Sequence, residues 1–287
     1  MRNKLVITLI ILGLLLAACG QPAAPTSGPA AQNTAIPAPT TAGLSGTISV
    51  AGSTTVQPLA EELAEAFIAI HPDVKIDVQG GGSSVGVKSA AQGTADIGAA
   101  SRAIKDSEKE EYPNLKIYPI AIDGIAIVVH PDVTVGDLTV EQVRDIFAGT
   151  ITNWSEVGGE DKMIIVVSRE EGSGTRGAFE DLVMDEASIL ETAILQSSNG
   201  AVRTTVSTTP DSIAYLSFGY LDASVKALKI AGVEATTANV LAGSYPISRP
   251  LNLLTDGEPQ GLVKAWLDWI LGPDGQAIVA QDYIPVK

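Results

Sequence analysis

Residues 168–176, Ser-Arg-Glu-Glu-Gly-Ser-Gly-Thr-Arg, place Arg169 and Arg176 around a turn made of Gly172, Ser173, Gly174 and Thr175. An apolar β-branched run at 164–167 precedes them and reads as a buried strand, and 177–183 reads as a helix. A small-residue turn entering a helix leaves backbone N–H groups aimed at one point, with the positive end of the helix dipole behind them. Hydroxyls and guanidinium groups around such a point hold an oxyanion, most naturally a tetrahedral one.

Three further segments repeat the design, in which a strand ends and Gly, Ser or Thr follow. Ser53-Thr54-Thr55 follows a strand at 47–51, Ser83 and Ser84 follow one at 74–78, and Ser101-Arg102 follows one at 95–99. In open α/β sheets ligands bind beyond the carboxyl ends of strands, so these turns are expected to converge on one cleft. Helix capping accounts for a single Ser or Thr in such a place. Four such turns in one chain, with arginines among them, point to a site. Asn199 opens another helix, and Asp123-Gly124 reads as a turn between strands at 116–122 and 125–129.

Other motifs carry less. Gly82-Ser83-Ser84-Val85-Gly86 has the nucleophile-elbow pattern, but a serine hydrolase needs a histidine base. The two histidines, His71 and His130, each precede Pro-Asp and read as loop residues away from the turns. Residues 172–177 match a dinucleotide fingerprint, which normally sits early in a βαβ unit with an acidic ribose contact about twenty residues later; Glu191 has the distance but lies in helical sequence. No metal-ligand spacing appears, and no cofactor is expected.

The elements that must position these turns alternate strand with helix, which predicts α/β layers and mostly parallel sheets. Leu59, Leu63, Phe67 and Ile70 share one helix face. Thr139 and Gln142 form a capping box over a helix that Gly149 stops. A terminal helical pair at 260–281 turns Leu262, Trp266, Ile270 and Ile278 inward. At the N-terminus, Arg2 and Lys4 precede an apolar run at 5–16, and Leu16-Ala17-Ala18-Cys19 matches a bacterial lipobox. We expect a signal peptide at 1–18, lipid on Cys19 and a tether at 19–45, rich in Pro, Ala, Thr and Ser. Cys19 is the only cysteine, so no disulfide framework exists. The formal charge of −15 argues against nucleic acid as a partner, and an anion site must work through local donors.

Taken together, the segments 51–56, 80–86, 97–102, 123–126, 147–154 and 169–176 resemble the phosphate-specific substrate-binding lipoproteins of ATP-driven phosphate importers. The likeness runs from about residue 46 to the C-terminus. It implies a two-lobed periplasmic-binding-protein fold of type II: two α/β domains, joined by two crossover segments, enclose the ligand. The boundaries read as 46–130 plus 222–287 for one domain and 131–221 for the other. By motif position, contacts to inorganic phosphate fall to Thr54, Thr55, Ser83, Arg169, Ser173, Gly174 and Thr175. Ser53, Ser84, Ser101, Arg102, Asp123, Arg176 and Asn199 complete the candidate set.

The position after Ser101 is aspartate in the best-known members, where it accepts the proton of the bound phosphate. Here it is Arg102, and Asp123 is the substitute candidate. Glu171 is expected to hold the Arg169 fork. The resemblance further implies a monomeric receptor without chemistry of its own, lipid-anchored on the outer face of the cell membrane. Its partners would be the permease and ATPase subunits of an importer. Sulfate or molybdate binding, a surface phosphatase using Ser83 or Ser173, and a tethered phosphate sensor are the alternatives.

Overall fold

In this computed structural model, which describes residues 43–286, β1 (Gly46–Gly52) runs parallel between β2 (Val74–Gly80) and β3 (Ile97–Ala100). The connections are α1 (Val56–Ile70) and α2 (Ser83–Ala91), and α3 (Asp106–Glu111) follows β3. β4 (Leu115–Val129) then leaves this layer, and β5 (Asp137–Leu138) and α4 (Val140–Ala148) open a second one. There β6 (Ile165–Arg169) pairs in parallel with β7 (Ile194–Gln196) and β8 (Ser212–Ser217). The helices beside them are α5 (Gly174–Phe179) and α6 (Asn199–Thr208). Short strands β9 (Lys226–Ala227) and β10 (Lys229–Ile230) and helix α7 (Thr237–Leu241) follow. β11 (Ser248–Asp256) returns the chain to the first layer, where α8 (Gly261–Ile270), α9 (Pro273–Asp282) and β12 (Ile284–Pro285) close it.

The main strand order is β2-β1-β3-β11-β4-β8-β6-β7. Strands within each lobe are parallel as expected, but β4 and β11 cross between lobes and pair antiparallel with each other and with their flanking neighbours β8 and β3. The mostly parallel expectation therefore fails at the crossovers. β4 also replaces the two strands expected around Asp123-Gly124. An Asp-Gly pair favours a turn only where nothing pairs with it. Here Asp123 lies opposite Arg249 of β11, and Gly124 is covered by Phe218, whose ring would stand 2.3 Å from an added Cβ.

Two main hydrophobic cores define the lobes. One gathers Ile48, Leu59, Leu63, Phe67, Ile97, Leu251 and Trp266; the other gathers Ile127, Val143, Phe147, Trp154, Phe179 and Tyr215. β4 serves both, with Ile120 in the first and Ile125 in the second. Leu228, Ile230, Tyr245 and Ile247 belong to the second core. The return crossover therefore lies near 248, not at 222 as the boundaries 46–130 plus 222–287 and 131–221 had it. The sequence could not reveal this, because 225–247 is composed like either lobe. Ile70, expected on the buried face of α1, is exposed at the helix end, while Leu262 and Ile278 are only partly covered.

Local chemistry holds the elements in place. Thr139 Oγ1 accepts from the Gln142 amide at 3.1 Å and Gln142 Oε1 from the Thr139 amide at 2.9 Å, closing the capping box. Gly149 ends α4 at φ 78°, a left-handed cap that favours glycine. The start of α2 lies against β1 and β3 without a side chain between them: a Cβ on Gly86 would stand 2.2 Å from the Ala99 carbonyl oxygen. Gly86→Ala should therefore lose about 1–3 kcal/mol of stability by overpacking, read as a lower midpoint in thermal or urea unfolding. An unchanged midpoint would mean that α2 stands farther from the sheet.

Residues 1–42 lie outside the described residues, and with them the signal peptide, Cys19 and all but the end of the tether. Among the described residues no helix is long and apolar enough to cross a membrane.

Candidate anion-binding site

The four serine and threonine turns meet at the N-terminus of α1. Ser53 Oγ accepts from the amides of Thr55 and Val56 at 3.1 and 3.3 Å, so Ser53 caps the helix. Thr55 is buried, and its Oγ1 receives the Asn199 amide group at 2.9 Å and Arg249 Nη2 at 3.2 Å. Two incoming donors fill both lone pairs of that hydroxyl. Its own proton therefore points at Thr175 Oγ1, 3.2 Å away. Thr175 in turn keeps its proton for something else.

On the same floor the Ser101 amide donates to Ser83 Oγ at 2.9 Å. Gly174 closes over both serines; a Cβ there would stand 2.0 Å from Ser83 Oγ and 2.6 Å from Ser101 Oγ. Ser173 Oγ caps α5 by accepting from the Arg176 amide at 3.2 Å. As in the first turn of any helix, the amides of Gly174 and Thr175 have no intrahelical acceptor. The lobes are in contact here, since the Ser84 amide also donates to the Gly172 carbonyl at 3.1 Å.

Arg169 ends β6 and is 1% exposed. Its Nε donates to the Gln196 carbonyl and its Nη2 to the Ser197 carbonyl, both at 2.9 Å, and Nη2 also reaches Thr54 Oγ1 at 3.4 Å. Tyr215 stacks on Phe179 with centroids 4.2 Å apart, and its hydroxyl accepts from the Arg169 amide at 3.3 Å. Burial pushes that phenol up to about 12, so it stays protonated and neutral. Burial also holds the Arg169 guanidinium below its ordinary value, and the nearby positive charge of Arg249 adds to this. Arg169 is thus fixed by carbonyls and not by Glu171, which is exposed on the rim.

Arg249 repeats the arrangement from β11, at 3% exposure. Its Nε and Nη2 donate to Asp123 Oδ2 at 3.0 and 2.8 Å. The other oxygen, Asp123 Oδ1, accepts from Ser217 Oγ at 2.9 Å and the Phe218 amide at 3.3 Å. Burial pushes the Asp123 carboxyl up, against the pull of Arg249 and these donors. Its acceptor positions are all taken, two on each oxygen. The expectation that Asp123 accepts a ligand proton therefore meets a carboxylate with no lone pair to spare. Among the described residues, four buried side-chain nitrogens lack a partner: two tryptophan Nε1 atoms, Arg169 Nη1 and Arg249 Nη1.

Two of the arginines chosen from sequence face elsewhere. Arg102 is buried against Glu108, with Nη1 and Nη2 at 2.8 and 2.7 Å from its two oxygens. Burial disfavours ionising Glu108, but the hydrogen bonds from Arg102 and from the Lys105 amide hold its carboxyl below the usual range. Arg176 donates Nε to Glu180 at 2.7 Å and Nη1 to the Arg169 carbonyl at 3.1 Å. Arg102, Arg176, Lys105, Glu171, Glu180 and Ser84 line a polar outer cavity of about 340 Å³. In it each of these two arginines already has a carboxylate partner. Neither histidine hydrogen-bonds Ser83 or Ser173: His71 packs on Phe67 with centroids 4.5 Å apart, and His130 Nδ1 accepts from the Asp132 amide.

The sequence reading missed Arg249, Tyr215 and Tyr220, whose hydroxyl donates to the Thr54 carbonyl at 2.7 Å. The signal for Arg249 lay in an arginine two residues before the leucine-rich strand 251–255, since a buried charge requires a buried partner. Asp123, alone among apolar neighbours, was that partner.

A two-lobed α/β fold with buried arginines beside its crossovers defines a class. Residues 37–274 match the PBP superfamily domain, and the chain belongs to that superfamily. Within it the chain belongs to the PstS phosphate-binding proteins: it is 36% identical over 290 residues to the phosphate-binding protein PstS of Bacillus subtilis, covering 99% of this chain and 95% of that one. The PstS of Pseudomonas aeruginosa PAO1 is 32% identical over 85% of this chain and 84% of its own length. Among solved structures, a Clostridium perfringens chain described as a phosphate ABC transporter substrate-binding protein, crystallised with bound phosphate, superposes with a TM-score of 0.81. It is 43% identical and covers 84% of this chain and 100% of its own. An ABC-type phosphate transport receptor from Vibrio cholerae has a TM-score of 0.70 at 34% identity, over 83% and 99% of the two chains.

Proposed function

We propose that this protein is the extracytoplasmic receptor of a phosphate importer: it captures inorganic phosphate between its lobes and delivers it to a membrane permease driven by an ATPase. The observation that carries the reading is the pair of unpartnered guanidinium nitrogens, Arg169 Nη1 and Arg249 Nη1, buried beside adjacent threonines at the α1 N-terminus. A buried charged donor without an acceptor is costly, and a tetrahedral oxyanion relieves it with several acceptors at once. The relatives named above are phosphate-binding proteins and transport receptors, which selects phosphate among such anions.

Closure follows from where the donors sit. Thr54, Thr55, Ser83 and Ser101 belong to the first lobe, and Arg169, Gly174 and Thr175 to the second. An anion touching both favours the closed form through contacts that the open form lacks. The permease reads that closed form, and a lipid on Cys19 keeps the monomeric receptor at the membrane surface, on the outer side. Binding is the whole of its activity: Ser173 is spent as a helix cap and no imidazole serves Ser83, so a phosphomonoester assay should give no turnover.

Isothermal titration with phosphate, sulfate and molybdate tests the ligand, and small-angle scattering with and without phosphate tests closure. We expect saturable one-to-one phosphate binding and a smaller radius of gyration when bound. Preference for sulfate or molybdate would support the second reading, another tetrahedral oxyanion, which the saturated Asp123 carboxylate favours. Identical scattering profiles would overturn closure.

A further inference from the structure

Asp123 and Arg249 stand directly opposite each other on β4 and β11, the two strands that cross between the lobes. The pair is fully enclosed, with side chains 0% and 1% exposed. Burying two charges costs more than their attraction returns unless every remaining donor and acceptor is used. The carboxylate meets that condition and the guanidinium does not, because Nη1 has no partner. A pair serving only to join the crossovers would be finished on both sides.

Arg249 is built as Arg169 is. In each, Nε and Nη2 are spent on anchoring acceptors and Nη1 is left over. Each Nη2 also reaches one of two consecutive hydroxyls, Thr54 for Arg169 and Thr55 for Arg249. The two free nitrogens therefore flank one helix terminus, that of the fifteen-residue α1.

We infer that Arg249, clamped by Asp123 at the lobe crossover, is a second anion-binding arginine of this site, and that Asp123 positions it instead of accepting the ligand's proton. The inference rests on the proposed anion receptor and goes beyond it by moving one ligand contact to the crossover strands themselves. Its consequence is chemical. The ligand faces two guanidinium forks and hydroxyls such as Thr175, which donate or accept, and no carboxylate with a free lone pair. A proton on phosphate is then accepted by a hydroxyl oxygen, and selectivity between phosphate and sulfate does not depend on Asp123.

The test is calorimetry of the whole protein with phosphate and with sulfate, on the wild type, Arg249→Gln, Arg249→Lys and Asp123→Asn. Unfolding midpoints without ligand are taken on each. Arg249→Gln should weaken phosphate binding roughly 10- to 150-fold, the worth of one hydrogen bond to a charged group. Arg249→Lys should recover part of that loss. Asp123→Asn should change phosphate and sulfate affinities in parallel, leaving their ratio within about twofold. A carboxylate that accepted the ligand's proton would behave otherwise, because its replacement would raise sulfate selectively. Folded Arg249→Gln with wild-type affinity overturns the inference, as does a selective gain of sulfate in Asp123→Asn. Should Arg249→Gln fail to fold, a phosphate-soaked crystal of the wild type decides, and Nη1 beyond 4 Å of every phosphate oxygen overturns it. If the wild type ignores phosphate but binds sulfate or molybdate, the phosphate reading fails, and the same variants titrated with that anion still judge Arg249.

Discussion

Arg169→Ala should bind phosphate about 2–5 kcal/mol more weakly than the wild type, the cost of truncating one partner of a buried charged pair. In dissociation constants that is roughly 30- to 5,000-fold, within easy reach of titration calorimetry. The size of the effect comes from how Arg169 is held. Two carbonyls of its own lobe fix the fork before any ligand arrives, so little entropy is lost when an anion joins it. The fork's remaining nitrogen is dry and unpaired, which makes its gain from an anion larger than at a wet surface. Wild-type affinity in this variant would remove Arg169 from the site.

Gly174→Ala should weaken phosphate binding by about 1–3 kcal/mol through overpacking between the lobes. The added methyl group would meet Ser83 Oγ at 2.0 Å and Ser83 Cβ at 2.9 Å, so rotating the hydroxyl alone does not make room. Gly174 opens helix α5, where alanine is the better residue, and the clash is with the opposite lobe. Each lobe should therefore fold as before, with a ligand-free unfolding midpoint close to wild type, while phosphate-induced compaction in scattering is reduced or lost. A variant that compacts normally on phosphate would show that the lobes do not approach this closely.

What could be read in the sequence divides along local and non-local lines. The Ser173 cap, the Thr139–Gln142 box and the turns at Ser53, Ser83 and Ser101 are short-range patterns, and each was legible from neighbours within a few residues. Their convergence followed from one topological rule about strand ends. The partners of the arginines were not legible, because they depend on register between distant segments. Arg102 and Arg176 look as available as Arg169 in sequence. Only the fold shows that Glu108 and Glu180 take the first two, while carbonyls of Gln196 and Ser197 leave part of the third free. Asp123-Gly124 misled for the same reason: its turn signal is local, and the pairing of β4 with β11 that overrides it spans more than a hundred residues.

Growing crystals with inorganic phosphate and locating it tests the account most directly. Phosphate is expected enclosed between the lobes, with oxygens within hydrogen-bond distance of Arg169 Nη1, Arg249 Nη1 and Thr175 Oγ1, above the first turn of α1. Phosphate held instead in the outer cavity between Arg102 and Arg176, with both Nη1 atoms still unpaired, would contradict it.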